Sequence, residues 1–387
     1  MARLGDIATV ITKGTTPTSI GFAFENDGIN FVKIESVDEN GNFICEKFDH
    51  ISDECHEKLK RSQLQENDIL FSIAGAIGRT AIVTKDILPA NTNQALAIIR
   101  IPQGAINYSF LLYILQSSVV LEQADKKKQG VAQLNLSLKD IGDFIIPDIP
   151  LEEQQCIVDS LDKVSNLIYL RKQQLSKLDE LVKSRFVEMF GDTELNPYGW
   201  RKSTLGASCD VRDGTHDSPQ YYETGYPLVT SKNVTGGKID MTDCSLICEA
   251  DFIKINERSK VDIGDIIMPM IGTVGKPVIV DIEPNFAIKN VALIKFKIDT
   301  SVLNTYIQAL LQSDYFDKAI LSKVRGGTQK FISLGDIRKL EILVPPMELQ
   351  EQFAVLVEQV DKSKLEIQRS LEKLETLKKA LMKKYFG

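Results

Sequence analysis

Two long segments of the chain carry apolar residues at alternating spacings of four and three positions. They cover residues 151–190 and 347–386, and neither contains glycine or proline. An apolar period of about 3.5 residues is typical of α-helices that pair lengthwise as a coiled coil. At about 1.5 Å per residue, each helix would be roughly 60 Å long. The pattern predicts two long helices that pair with each other; the alternative is two separate amphipathic helices, each lying on its own domain.

The apolar positions that would form the paired face are called the seam. Each predicted helix follows a proline, which suits a helix start. Arg171 and Arg185 interrupt the first seam, and Lys364 and Lys378 interrupt the second. The first seam consists of Ile157, Leu161, Val164, Ile168, Leu175, Leu178, Val182 and Met189. The second seam consists of Phe353, Val357, Val360, Ile367, Leu371, Leu374, Leu381 and Tyr385.

The segments that precede the two helices are copies of each other. From residue 108 onward the similarity has a constant offset of 196 positions, so that Gln133 returns as Gln329 and Phe190 as Phe386. Upstream motifs match with small length changes: KGTTP (13–17) with DGTHDSP (213–219), NDILFSIAGAIGRTAIV (67–83) with GDIIMPMIGTVGKPVIV (264–280), and NQALAII (93–99) with KNVALIK (289–295). Because chance does not explain the fixed order, the chain is a tandem repeat. The predicted bounds are 1–150 and 192–346 for the globular copies, and 151–191 and 347–387 for the helices.

Each globular copy alternates short β-branched runs with glycine, proline and asparagine, which is typical of a strand-rich mixed domain. Each also contains one predicted helix, over Tyr108–Gln123 and Asn304–Leu321. The predicted fold class is α+β, with two repeated domains joined by two long antiparallel coiled-coil helices in a pseudo-twofold dumbbell. Two similar but non-identical heads at a fixed distance suit a bipartite and asymmetric target, because a palindromic DNA site would match true twofold symmetry.

The charge of the chain excludes a simple basic nucleic-acid binder. The formal net charge is −7, from 46 Lys and Arg against 53 Asp and Glu. Residues 1–150 carry 14 against 19, and residues 192–346 carry 18 against 20. Since DNA affinity comes mainly from neutralising phosphates, a DNA-binding role would require a partner to supply much of the positive surface.

Six cysteines without a CxxC pair predict reduced thiols and no metal site. No apolar run approaches the ~18 residues of a membrane span.

Several motifs resemble the specificity subunits of type I restriction–modification enzymes. IPLEEQ (149–154) and PPMELQEQ (345–352) each open a long helix, and they resemble the conserved-region starts of that family. VRDGTHDSP (211–219), LVTSKNV (228–234), RGGTQKFISLGDI (325–337) and FGDTELNPYGW (190–200) are similar as well. The resemblance covers essentially the whole chain, including the order of domains and helices.

The resemblance implies a DNA-recognition role. Each globular copy would be a target recognition domain for one half of a bipartite site in double-stranded DNA, and the helices would set the spacing of the halves. The helices would also dock two methyltransferase subunits, which restriction–translocase subunits would join. S-adenosylmethionine, ATP and Mg²⁺ would belong to these partners and not to this chain. A cytoplasmic location in a bacterium or archaeon is expected.

The motifs for catalysis are incomplete in this sequence. Asn196-Pro197-Tyr198-Gly199 lacks the second proline of an adenine-methyltransferase tetrapeptide and suits a turn. No GxxxxGK[ST] loop for ATP is present. We therefore expect a chain that is not an enzyme by itself. Two alternatives stay open: a specificity subunit of a related system outside type I, and a two-headed scaffold that binds proteins instead of DNA.

Polar residues in matched loops of the two copies are the candidates for DNA contact, because paired donors and acceptors distinguish bases. The base-contact candidates are Lys13, Thr15, Thr16, Lys33, Arg79, Asn93, Gln94, His216, Ser231, Lys232, Asn233, Lys276, Lys289 and Asn290. The phosphate-contact candidates are Lys126, Lys127, Lys128, Lys323, Arg325 and Lys330. The glycine loops at 74–78 and 271–275 suit either a phosphate cradle or a tight turn between strands. The two copies differ most at these loops, so we expect them to recognise different sequences.

Overall fold

The structure is a computed structural model that describes residues 1–127, 135–270, 277–297, 299–321 and 331–387. The described residues form two compact units. The first unit comprises Met1–Lys172 together with Arg369–Gly387, and the second comprises Gln173–Gln368. Each unit therefore contains one globular copy and a part of both long helices, whereas the predicted bounds keep each helix whole.

The first copy is built from short strands and helices. Its strands are β1 (Ala2–Arg3), β2 (Val10–Lys13), β3 (Ile29–Val32), β4 (Asp49–Ile51), β5 (Ile69–Ser72), β6 (Thr80–Ile82), β7 (Ala90–Thr92), β8 (Leu96–Arg100) and β9 (Ile145–Ile146). Its helices are α1 (Leu4–Ile7), α2 (Asp53–Lys58), α3 (Tyr108–Leu115), α4 (Ser118–Lys127) and α5 (Leu138–Gly142). The long helix α6 (Leu151–Phe190) follows.

The second copy has the matching elements and one additional hairpin, β13–β14. Its strands are β10 (Arg201–Thr204), β11 (Asp210–Asp213), β12 (Tyr226–Val229), β13 (Val234–Thr235), β14 (Lys238–Ile239), β15 (Ser245–Ile247), β16 (Ile266–Pro269), β17 (Val278–Ile279), β18 (Ala287–Ile288), β19 (Val291–Lys295) and β20 (Glu341–Val344). Its helices are α7 (Leu205–Ser208), α8 (Glu249–Ser259), α9 (Asn304–Leu311), α10 (Asp314–Leu321) and α11 (Leu334–Arg338). The long helix α12 (Met347–Phe386) ends the series.

The sheets of the two copies share one topology. A four-stranded antiparallel sheet has the order β2-β8-β5-β6 in the first copy and β11-β19-β16-β17 in the second. A three-stranded sheet has the order β4-β3-β7 and β15-β12-β18, with the last pair parallel in both cases. Strands β1 and β9 pair in the first copy as β10 and β20 do in the second. The structure thus has the predicted α+β class and the predicted repeat.

The central strands of the four-stranded sheet bury both faces. In β5, Ile69 and Phe71 share a core with α3 and α5 residues, while Leu70 lies on the opposite side in a core with Ala81 and Ile98. Successive side chains of a strand point to opposite faces, which explains the alternation. A strand covered on both sides is apolar without interruption, and this is the character of the ILF run in β5.

The prediction of a single helix over 108–123 and over 304–321 is wrong, because each region contains two consecutive helices. Helices α3 and α4 meet at Gln116 and Ser117, and α9 and α10 meet at the equivalent Gln312 and Ser313. The Ser117 hydroxyl donates a hydrogen bond of 2.6 Å to the Ile114 carbonyl oxygen. Ser313 makes the same bond to Leu310 at 2.6 Å. A serine that bonds the preceding turn competes with helix continuation, which accounts for the break.

The two long helices have the bounds that the absence of breakers predicts. The N–H of Gly191 bonds the Val187 carbonyl oxygen at 2.8 Å, with φ of 80° at Gly191. A left-handed residue just past a helix end is usually glycine, because a Cβ is disfavoured there. All residues of both seams, and the four charged residues that interrupt them, are buried or half-buried.

Within each unit, the start of one long helix lies beside the end of the other. In the first unit, Ile157 and Leu161 share a core with Phe386, and Lys172 Nζ lies 3.5 Å from Glu375 Oε1. In the second unit, the rings of Phe186 and Phe353 are 5.6 Å apart, and Lys364 Nζ lies 2.5 Å from Asp179 Oδ1. These contacts run in opposite directions along the two sequences, so the helices are antiparallel inside each unit.

Candidate nucleic-acid interface

Three chain segments meet beside the sheets of the first copy. They are the loop after β2 (14–17), the end of β3 at Lys33, and the β7–β8 junction (93–94). The Gly14 N–H bonds the Asn93 carbonyl oxygen at 3.1 Å, and the Thr92 hydroxyl donates to the Val32 carbonyl oxygen at 2.8 Å. We call this set the first loop cluster. It brings several of the predicted base-contact residues to one place.

The equivalent segments meet in the second copy and form the second loop cluster. They are the loop after β11 (214–218), the end of β12 (230–233) and the β18–β19 junction (289–290). The Thr215 N–H bonds the Ile288 carbonyl oxygen at 3.0 Å, and the Ser231 hydroxyl donates to the Asn290 carbonyl oxygen at 3.4 Å. The same backbone arrangement therefore supports different side chains in the two copies.

A glycine permits the close approach of these segments in each cluster. A Cβ on Gly14 would lie 1.7 Å from the Thr92 carbonyl oxygen, and a Cβ on Gly214 would lie 2.4 Å from that of Ile288. Neither distance is possible for a real side chain. The glycine of KGTTP and DGTHDSP is thus required by the backbone contact, whereas the residues after it are free to vary.

One side-chain pair occupies equivalent positions in the two clusters. The Thr16 hydroxyl donates a short hydrogen bond to Gln94 Oε1, and His216 Nδ1 lies 2.8 Å from Asn290 Oδ1. Gln94 is exposed, while Asn290 is half-buried and has a φ of 56°. In both copies, the loop after the edge strand therefore contacts an amide side chain at the following strand junction.

His216 is held by acceptors on both ring nitrogens. Its Nε2 lies 2.9 Å from Asp213 Oδ2, opposite the contact to Asn290, and the imidazole is 60% exposed. Asp213 also pairs with the Arg258 guanidinium. The hydrogen bond to Asn290, followed by the one to Asp213, raises the pKa of His216 above its ordinary value. The imidazolium form, which donates from both nitrogens, fits this site.

Four predicted base-contact residues have their polar groups engaged inside the protein. Asn233 is only 7% exposed, and its amide bonds Thr230 and Asp240 within a turn. Lys289 is 8% exposed and donates to Ser218 Oγ at 2.7 Å. The geometry does not favour base contact by Asn233, because both ends of the amide are used, and Lys289 would have to break its bond to Ser218; both stay predictions.

Lys33 and Arg79 are engaged as well. Lys33 Nζ lies 2.5 Å from Asp49 Oδ2 and 3.3 Å from Glu35 Oε1, which raises the pKa of Lys33. The Arg79 guanidinium donates to the carbonyl oxygens of Ile34 and Val37 at 3.4 and 3.1 Å. Arg79 therefore holds a loop in place, and its prediction as a base contact is not supported by this geometry.

The other predicted residues vary in accessibility. Lys232 and Gln94 are exposed, while Lys13, Thr15, Thr16, Asn93 and Ser231 are half-buried. Lys126 is exposed at the end of α4, whereas Lys127 Nζ contacts the Asp140 carbonyl oxygen at 3.4 Å and Asp143 at 3.8 Å. Lys128, Lys276, Lys323, Arg325 and Lys330 lie outside the described residues.

The glycine loop at 74–78 forms a tight turn between β5 and β6. Gly75 and Gly78 have φ of 69° and 95°, and the Gly78 N–H bonds the Ser72 carbonyl oxygen at 3.1 Å. A Cβ on Gly78 would meet Leu121 at 2.5 Å. This loop fits the turn interpretation. Residues 271–275 of its counterpart lie outside the described residues.

Sequence reasoning missed three side chains in or beside the second loop cluster: Asp213, Ser218 and Arg258. Ser218 and Arg258 border a cavity of about 390 Å³ together with Lys254, and Asp213 pairs with Arg258. The exchange of Lys13 for Asp213 between copies was the one available signal, because a carboxylate three residues before a histidine can bond it. Arg258 lies on α8, far away in sequence. Within the described parts of the chain, no three His, Cys, Asp or Glu side chains form a metal-binding group, and no described helix is long and apolar enough to cross a membrane.

Comparison with known families shows that both repeats match one family model. A family model described as "Type I restriction modification DNA specificity domain" matches residues 1–180 and again 197–379. The chain belongs to this family. Each copy of the internal repeat thus corresponds to one match of the specificity domain. The resemblance inferred from the sequence motifs is confirmed.

Individual proteins of the specificity-domain family are also similar to this chain in sequence. The type I restriction enzyme MjaIX specificity subunit of Methanocaldococcus jannaschii is 28% identical over 344 residues, which cover 82% of this chain and 76% of that protein. The EcoBI specificity subunit of Escherichia coli is 34% identical over 163 residues, covering 39% of this chain and 34% of that protein.

Two solved structures share the fold of this specificity-domain chain. One is the S subunit of a type I restriction–modification system from M. genitalium, with a TM-score of 0.57 and 14% identity, over 100% of this chain and 95% of that one. The other comes from work on complex assembly and conformational transition of the type I R-M system, with a TM-score of 0.57 and 21% identity, over 100% and 96%. At these identities the likeness establishes the fold.

Proposed function

We propose that this chain is the DNA-recognition subunit of a type I restriction–modification complex and that its two copies recognise the two halves of a bipartite, asymmetric duplex site. The first loop cluster would contact one half and the second loop cluster the other. The observation that carries the proposal is the pair of loop clusters. They share a backbone arrangement but differ in side chain at each variable position.

The differences are chemical and not only steric. Equivalent positions carry Thr16 and His216, Gln94 and Asn290, and Lys13 and Asp213. Where the first copy has the half-buried Lys13, the second has a buried carboxylate, Asp213, that pairs with His216 and Arg258. Hydrogen-bond donors and acceptors at base edges are the means of direct sequence recognition. The two copies would therefore select different bases, which makes the whole site asymmetric.

The acidic net charge fits a subunit that binds DNA together with partners. With a formal charge of −7, the chain lacks the excess of cations that phosphate neutralisation requires. We propose that two methyltransferase subunits dock on the long helices and supply much of that surface, and that restriction–translocase subunits complete the complex. S-adenosylmethionine, ATP and Mg²⁺ would then act on those subunits, and this chain would recognise the site without carrying a catalytic step.

Selection from random duplex DNA tests the proposal. The full chain, assembled with its methyltransferase subunits, is expected to enrich two short fixed motifs separated by unspecified bases. Replacing residues 1–150 with the first domain of another family member is expected to change one motif and leave the other. The matched control exchanges residues 192–346 instead and should change only the second motif. Enrichment of no motif, or a change in both motifs from one exchange, would contradict recognition by independent copies.

A further inference from the structure

Among the described residues, the equivalent amide side chains Gln94 and Asn290 are each contacted at the oxygen end, and their NH₂ groups have no partner there. In both cases, the amide oxygen is the atom contacted by the loop after the edge strand, through Thr16 or His216. The NH₂ group is then directed away from that contact. The recurrence in two copies with different residue types indicates that the position, and not one chance contact, is a feature of the fold.

The two contacts fix the amide to different degrees. A threonine hydroxyl can donate or accept, so it tolerates either orientation of Gln94. An imidazolium has two donors and no acceptor, so only the oxygen of Asn290 can face it. Asp213, an acceptor on the other ring nitrogen, favours the imidazolium. The positive φ of Asn290 and the bond from its N–H to the Thr215 carbonyl oxygen, 3.2 Å, hold the backbone of that residue.

We propose that Asn290 is a specificity-determining residue whose NH₂ group contacts a hydrogen-bond acceptor on one base of the second half-site, and that His216 is the positioning residue that fixes this orientation. The inference rests on the proposed function. The inference adds to that function the side chain that makes the contact, the chemical group that it displays and the class of base edge that it contacts. Guanine O6 and N7, adenine N7 and thymine O4 are the acceptors available in the major groove.

The arrangement makes recognition by Asn290 dependent on pH. When His216 loses its proton, Nε2–H continues to donate to the Asp213 carboxylate, so Nδ1 becomes an acceptor. Two acceptors would then face each other until the Asn290 amide rotates and displays its oxygen instead. In the described part of the chain, the charged groups around His216 are Asp213 on β11, Arg258, Lys254 and Asp251 on α8, the adjacent Asp217, and Lys289, which bonds Ser218 of the same loop. Gln94 is held by Thr16, and the described residues give it no titrating contact of this kind.

Replacement of Asn290 tests the contact itself. Asn290→Asp keeps the shape but replaces the NH₂ donor by an acceptor. In selection with the full chain and its methyltransferase subunits, one position of the second half-site should change from an acceptor-displaying base to a donor-displaying one, with a preference change of about tenfold or more. Asn285→Asp, an exposed asparagine before β18, is the matched control and should leave all positions unchanged.

Replacement of His216 tests the positioning role. In the wild-type chain, discrimination at the same base should be strong at about pH 6 and weaken about tenfold at about pH 9, on either side of the histidine range. His216→Arg, a permanent donor, should retain the preference at both pH values. His216→Gln, which cannot become a cation, should remove the pH dependence and weaken the preference. The first half-site serves as the internal control and should not respond.

The outcomes separate this inference from the proposed function. If the wild-type complex enriches no motif, the proposed function fails. If it enriches a bipartite motif that Asn290→Asp leaves intact, the proposed function stands and Asn290 is not a base contact. If Asn290→Asp changes one base but the wild-type preference is the same at both pH values, His216 does not set the amide, and the positioning role is overturned.

Discussion

A buried glutamine at the start of each long helix connects that helix to its globular copy. Gln350 Oε1 accepts from the Leu303 N–H at 2.8 Å, and its Nε2 donates to the carbonyl oxygens of Pro345 and Ser301 at 2.9 and 3.0 Å. Gln154 makes two of these bonds in the first copy, to the Asn107 N–H and the Ile149 carbonyl oxygen. This explains the glutamine of IPLEEQ and PPMELQEQ in physical terms: one amide satisfies backbone groups of the domain and of the helix start.

Removal of this amide should destabilise the second unit. Gln350→Ala leaves one buried N–H and two carbonyl oxygens without their partner, and each unsatisfied buried group costs about 1–3 kcal/mol. Allowing for partial relaxation, we expect a loss of about 2–4 kcal/mol in the free energy of unfolding, measured by urea denaturation. Gln352→Ala, at an exposed position two residues later, is the control and should change stability by less than about 0.5 kcal/mol. Equal effects of the two variants would contradict the role assigned to Gln350.

For single residues, the sequence identifies which positions of the two copies are equivalent better than it identifies which side chains contact each other. The alignment of KGTTP with DGTHDSP marks Thr16 and His216 as equivalent, and both lie in the loop clusters. It cannot show that Asn233 turns its amide inward to Thr230 and Asp240, because a pattern of polar residues does not reveal which way a loop side chain points. Nor can it show that Lys33 pairs with Asp49, because that contact depends on strands brought together only by folding. Asn233 and Lys232 are adjacent and both polar, yet Asn233 is buried and Lys232 is exposed.

Elements with a long period are predictable, and short ones are not. The seam spacing and the lack of glycine and proline predict α6 and α12 with their observed bounds, because many residues contribute to one signal. The break between α3 and α4 depends on a single serine hydroxyl at Ser117, which an apolar pattern does not reveal. Buried, uninterrupted strands such as β5 are likewise ambiguous in sequence, since short apolar runs suit a helix as well.

The charged interruptions of the seam carry a cost that can be measured. Burial lowers the pKa of Lys378, and the nearby Lys172 lowers it further. The equivalent position in α6 is the apolar Val182. Lys378→Val should therefore stabilise the first unit by about 0.5–1 kcal/mol, the gain in apolar burial exceeding the loss of a cation contact with Tyr113 at 5.8 Å.

The pH dependence provides the second measurement for Lys378. A lysine with a lowered pKa in the folded state holds its proton more tightly when unfolded, so wild-type stability rises as pH increases toward the ordinary lysine value. That rise should be smaller in Lys378→Val. Thermal unfolding from about pH 7 to about pH 10 measures both effects. Lys379→Val, next along the helix and exposed, is the control; an equal gain from that variant would show that the seam position is not special.

At the scale of the whole molecule, the internal repeat predicts two domains of one fold, and the shared sheet topology agrees. The sequence does not predict that the compact units divide both long helices, because seam spacing is uniform along each helix and marks no midpoint. The helix ends belong to different units because they contact different globular copies outside the seam. The rings of Phe110 and Phe386 are 5.5 Å apart in the first unit, and those of Tyr306 and Phe190 are 4.8 Å apart in the second. The predicted dumbbell arrangement stays a prediction.

If the paired helices set the distance between the two recognition copies, their length should determine the spacer of the target site. Duplicating residues 171–177 in α6 and the opposing 368–374 in α12 adds seven residues to each helix, about 10.5 Å. Seven residues preserve a seam with a period of about 3.5, so the pairing should survive. B-DNA rises roughly 3.4 Å per base pair, so the enriched motif should keep both halves and gain about three unspecified bases.

The control variant also lengthens both helices, but it rotates the seam of each helix out of alignment with its partner. Two extra residues in each helix add about 3 Å but rotate the following seam by about 200°, which turns its apolar side chains toward water. That variant should lose stability and enrich no motif, whereas the seven-residue variant should remain folded by circular dichroism. An unchanged spacer in the folded, active seven-residue variant would mean that α6 and α12 act as structural supports and that the partner subunits fix the distance between the half-sites.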